Sequence, residues 1–187
     1  MLTTAGREAI LNGGDVSPVV ALLTSRYDAV PVSAIRVLHA LVEQSDGQAA
    51  VAASQGIPPL VRLAVGKEPA AKASASAMLC SVAKTAGTLP MLIRDGAVPP
   101  LVALLRDGDA SAQEAAAAAL SNVTTADKGP AAAVSAGVLA PLVLLLLDSG
   151  VRTQAHAMQA LHHLASLAET QASGHLTATD GLPPAEH

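Results

Sequence analysis

Three histidines fall close together near one end of the chain, His156, His162 and His163, and imidazole is a common zinc ligand. On a helix His156 and His163 share a face but stand two turns apart, about 10 Å by helical rise. One ion bound at about 2 Å per ligand cannot span that distance. His162 points to another face, and no cysteine or carboxylate lies nearby at ligand spacing. No metal site is therefore expected. "DGDASAQE" (107–114) opens like a calcium loop, but Ala112 stands where such a loop requires glycine and Ala118 where it requires a bidentate glutamate. It reads instead as a turn between helices.

Other chemistry fails in the same way. Asn122-Val123-Thr124 matches a glycosylation acceptor, yet it falls on an expected helix, and "MLTTAGREAI" has neither the basic nor the apolar region of a secretory leader. Cys80 is the single cysteine, which removes any internal disulfide and suits a reducing compartment. It shares a register position with His39, Ser121 and His162. That position reads as solvent-facing or groove-facing, with no base beside the thiol to activate it. There is no nucleophile elbow, no glycine-rich phosphate loop and no pair of carboxylates in one register. The chain is expected to be no enzyme, with no catalytic residues and no cofactor.

Composition narrows the partners. The 187 residues carry a net charge of −4, and the 11 lysines and arginines are scattered singly. Neither a nucleic-acid footprint nor a polybasic membrane patch can be built from them. Residues 131–147 contain no charge, but Gly137 and Pro141 interrupt them. They read as the end of one helix, a glycine turn and a buried helix, and no membrane insertion is expected. A cytoplasmic protein, or a nuclear one, fits these features.

What positions these residues is a repeat. Pro18, Pro59, Pro100 and Pro141 are spaced by 41 residues, as are Val19, Leu60, Leu101 and Leu142. Ala34, Ala75, Ala116 and Ala157 keep the step, and so do Leu38, Leu79, Leu120 and Leu161. Within one unit these columns recur at helical spacing, one face of a 3.6-residue period. Long helices are expected over 30–44, 69–86, 110–124 and 151–167. Pro31 and Pro69 stand near two of their starts, where a missing N–H costs nothing. "SAQE" (Ser111 to Glu114) reads as a capping box. A shorter helix begins near each recurring proline. A still shorter one precedes each glycine turn, in "GREAILNG", "GQAAVAAS", "GTLPMLIRD" and "KGPAAAVSA".

"GAVPPLVALL" (96–105) followed by "DASAQEAAAAALSNVT" (109–124) closely resembles an armadillo repeat. The resemblance covers residues 4 to about 167. The turn residues of the related HEAT repeats are absent. The family implies an all-α, right-handed α-solenoid of three-helix repeats, with the third helices lining a concave groove. Its groove commonly carries an asparagine near the end of each third helix, where this chain has Ala40, Ser81, Asn122 and His163. One turn earlier, where nuclear-import receptors carry tryptophan, stand Arg36, Ala77, Ala118 and Gln159. Without those rows, and with Arg36, Glu43, Lys84, His156, Gln159 and His163 mixed in character, the groove does not suit nuclear-import cargo.

The expectation is a non-catalytic scaffold that binds a protein or peptide through Arg36, Ser81, Lys84, Asn122, His156, Gln159 and His163. The rival reading is the substrate- or regulator-binding segment of a larger enzyme, such as a U-box ubiquitin ligase. Repeats are expected at 1–45, 46–86, 87–127 and 128–167. Residues 168–187 read as a polar tail or the start of a truncated fifth repeat, because "DGLPPA" (180–185) begins the phrase again. Terminal units without polar caps leave apolar faces open, which allows end-to-end self-association.

Overall fold

A computed structural model describes residues 16–178 except 28, 44 and 148. The short helix expected in "GREAILNG" and the phrase at 180–185 lie outside the described residues. Eleven α-helices follow one another among those described, with no strand. They are α1 (Ser17–Ala21), α2 (Ala29–Leu41), α3 (Ser45–Ala53), α4 (Ile57–Ala64), α5 (Pro69–Val82) and α6 (Leu89–Arg94). The series continues with α7 (Val98–Asp107), α8 (Ala110–Val123), α9 (Gly129–Ser135), α10 (Leu139–Leu147) and α11 (Val151–Ala178). The long third helices α2, α5, α8 and α11 pack in sequence, each against the next, and every second helix packs on the third helix of its own unit.

Proline starts these helices rather than ending them. It occupies the first turn of α1, α4, α5, α6, α7 and α9, where its missing N–H and fixed φ suit the geometry. Each described first helix, α3, α6 and α9, ends in one device. Gln55, Gly96 and Gly137 adopt left-handed φ of 56°, 78° and 76°. The next N–H in each case bonds a carbonyl five residues back: Gly56 to Val51, Ala97 to Leu92 and Val138 to Ala133. This closure satisfies the last free carbonyls and turns the chain sharply into the second helix. Residues 131–147 accordingly form α9 and α10, bent at 84°. Among the described residues no single helix is long and apolar enough to cross a membrane.

The core follows the columns. Leu60, Leu101 and Leu142 are fully buried, as are Leu38, Leu79 and Leu120. Ala34, Ala75, Ala116 and Ala157 are buried beside them, and their small side chains let third helices approach closely.

Three sequence expectations are corrected. Ser111 does not cap α8. Asp109 does, its backbone extended and its carboxylate accepting the Ala112 N–H at 2.8 Å, which also places negative charge at the positive end of the helix. Glu114 instead pairs with Arg152 of α11 at 3.2 Å. The last helix, expected to end near 167, runs on to Ala178, since no proline stands between α11's start and Pro183. α10 is also less enclosed than expected: Pro141, Leu142 and Leu145 are buried, while Leu139, Val143, Leu144 and Leu147 are exposed.

Candidate functional site

Because the third helices lie side by side, residues 41 apart form rows across them. One row holds Arg36, Ala77, Ala118 and Gln159, exposed except for the half-buried Ala118. The next holds Ala40, Ser81, Asn122 and His163, all half-buried. Glu43, Lys84, Thr125 and Ser166 make a third, fully exposed row. His156 is half-buried, one turn before Gln159 on α11. The structure therefore brings the seven expected residues onto one face of α2, α5, α8 and α11 and the turns that follow them.

Several are tied into the stack. Asn122 donates an amide N–H to the Ala83 carbonyl at 3.1 Å, just beyond the end of α5. The ring Nδ1 of His163 lies 3.2 Å from the Thr124 hydroxyl, and Ser121 donates to the Gln159 side-chain carbonyl at 3.4 Å. These bonds join neighbouring units, and the one from Asn122 also satisfies a carbonyl at the end of α5. Ser81 spends its hydroxyl on the Ala77 carbonyl of its own helix at 3.1 Å. Arg36 and Lys84 form no ion pair among the described residues.

Cys80 is corrected. It is 3% exposed, and burial pushes its thiol up to about 12, with Lys84 opposing the shift. Its register mates explain the error: Ser121 is buried too, while His39 and His162 are exposed. The buried pair lies in the two middle units, stacked on both sides; the exposed pair lies in the outer ones. The sequon asparagine is likewise committed to Ala83, and Asp109 of the calcium-like stretch to capping α8. Among the described residues no three histidine, cysteine or acidic side chains converge on one point.

The structure adds a cleft that the sequence reading missed. It encloses about 510 Å³ between α5, α7 and α8, lined by Lys72, Ala73, Ala77, Leu104, Asp107 and Ala115, among others. Ala77 belongs to the Arg36 row and Ala115 to the His156 position, so the cleft opens beside the polar rows. Its signal in the sequence is the set of alanines at 73, 77, 112 and 115.

An armadillo/beta-catenin-like repeat model matches residues 87–125, the third unit with Asn122 inside it. A computationally designed armadillo repeat protein for modular peptide recognition superposes with a TM-score of 0.76 at 25% identity, over 86% of this chain and 69% of its own. The chain has the armadillo-repeat fold, and its third unit matches the armadillo model. This armadillo array also resembles an engineered protein of known structure, with a TM-score of 0.75, 28% identity and coverage of 87% and 67%. A designed armadillo repeat protein solved in complex with the peptide (KR)4 shares the fold, with a TM-score of 0.73 at 21% identity over 95% of this chain and 80% of its own. No curated protein sequence matches the armadillo chain.

Proposed function

We propose that this armadillo protein is a non-catalytic scaffold whose third-helix face forms a concave groove that binds an extended segment of a partner protein. The observation that carries the reading is the alignment of Arg36, Ala77, Asn122 and Gln159 with a small-residue cleft on one continuous face. A designed armadillo protein for modular peptide recognition and another solved with a bound peptide support it. An asparagine amide has two N–H donors and a carbonyl acceptor. Asn122 uses one donor on Ala83, which fixes its orientation and leaves the others for a peptide backbone. Alanines at 73, 77 and 115 keep the floor low enough for ligand side chains to enter. Arg36 and Lys84 with Glu43 and the cleft's Asp107 make the surface mixed in charge, which suits a neutral or mixed segment over a strongly basic one.

The experiment compares capture of partner proteins by the immobilised chain and by an Asn122→Ala/Arg36→Glu variant. The variant is expected to lose its partner while remaining folded, with melting lowered only by the lost Asn122–Ala83 bond. Equal capture by both would place binding elsewhere and overturn the reading.

A further inference from the structure

The cleft between α5, α7 and α8 lies in the two middle units, and its walls depart from the repeat. Ala73, Ala77 and Ala103 stand where the unit before has Val32, Arg36 and Arg62. In the unit after, Ala73 and Ser111 become Glu114 and Arg152, whose ion pair at 3.2 Å ties α8 to α11 across the equivalent gap. Ala103 and Ala115 become Leu144 and His156. Methyl groups on all three helices therefore line this gap at positions where neighbouring units carry longer side chains.

Its second peculiarity is a hydroxyl. Ser76 lines the cleft yet is only 2% exposed, and its register mates Ile35, Ala117 and Met158 are all apolar. Ser33 and Ser81 on the same kind of helix donate to the carbonyl four residues back. The Ser76 hydroxyl makes no such bond and has no other partner among the described residues. A buried hydroxyl without a partner is costly, and a ligand atom that pairs with it removes the penalty. At the mouth stand Lys72 and Asp107, both exposed and opposite in charge, while Asp109 is occupied in capping α8. Charges of both signs give neither a cationic nor an anionic side chain a net advantage.

We propose that this cleft is the anchor pocket for a tyrosine side chain of the partner segment, an inference that rests on the peptide-binding reading above. The ring lies against the methyl groups of Ala73, Ala77, Ala103 and Ala115 and the side chain of Leu104, and the phenol oxygen pairs with Ser76. A phenol both donates and accepts, so it satisfies that hydroxyl whichever way it turns. It is also neutral, as the mixed rim requires. The volume of about 510 Å³ falls among pockets that take organic groups of this kind. Aromatic side chains with a polar tip are frequent anchors where proteins meet.

Alanine-methyl NMR of the full chain tests this with acetylated, amidated tripeptides that carry tyrosine, phenylalanine, leucine or lysine between two alanines. The tyrosine peptide is expected to shift the Ala73, Ala77 and Ala115 signals saturably and to bind about three- to tenfold more tightly than the phenylalanine peptide. Ser76→Ala should bring those two to equal affinity. Ala73→Leu, at an exposed position, should block the tyrosine peptide while circular dichroism shows the fold intact, and Ala115→Leu provides a second obstruction. Undisturbed methyl signals, a leucine or lysine peptide that binds as tightly as tyrosine, or a tyrosine preference that survives Ser76→Ala would each overturn the proposal. The Asn122→Ala/Arg36→Glu variant is expected to bind the tyrosine peptide as the unmodified chain does, which separates the two readings. Capture that survives in that variant removes the groove reading and leaves the aromatic pocket standing. Capture lost in it, with no peptide shifting the methyl signals, removes the pocket and leaves the groove.

Discussion

Asn122 and Gln55 show how differently single residues can serve one scaffold. Asn122 joins two units through the Ala83 carbonyl while half exposed, so its replacement by alanine is expected to weaken partner binding far more than folding. Gln55 occupies the left-handed position that Gly96 and Gly137 fill in the next units. A side chain there is strained by about 1–2 kcal/mol, partly offset by glycine's greater unfolded-state freedom. Gln55→Gly should therefore stabilise the protein by about 0.5–1 kcal/mol, read as a raised denaturation midpoint. Cys80 gives a pH prediction. Its thiol titrates near 9 when exposed and is pushed to about 12 in the fold, so between those values the unfolded chain ionises first. Stability should fall with rising pH across that window and be independent of this thiol below it. A thiol reagent at neutral pH should label the unfolded chain much faster than the folded one.

At the level of elements, caps and close approaches decide more than propensity. Asp109 holds the first turn of α8, so Asp109→Ala should cost about 1 kcal/mol, whereas Ser111→Ala should leave thermal stability unchanged. A Cβ on Gly129 would lie 1.7 Å from the Val123 carbonyl oxygen. Gly129→Ala must push α9 away from the end of α8, at a cost of about 1–3 kcal/mol by denaturant melting. The helices themselves were legible in the sequence, because proline starts and 3.6-residue periodicity are local signals. The cap was misassigned because Ser111 and Asp109 both suit the role by type. Only the backbone at 109, extended just before the helix, selects between them.

Across the whole molecule, burial depends on where a unit sits in the stack. Leu120 is fully enclosed while its mate Leu161 is only half-buried. Leu120→Ala should cost about 2–5 kcal/mol by denaturant unfolding, and Leu161→Ala distinctly less, as expected where each repeat is stabilised by its neighbours. The sequence by itself determined the period, the three-helix unit, the columns that make the core and the residues that share the third-helix face. All of these follow from spacing along one chain. It could not tell that Cys80 and Ser121 are sealed while His39 and His162 are open, or that Met158 is bare where Ala117 is covered. Register is written in residue order, but burial is set by whether another unit lies on each side, and only the assembled stack supplies that neighbour.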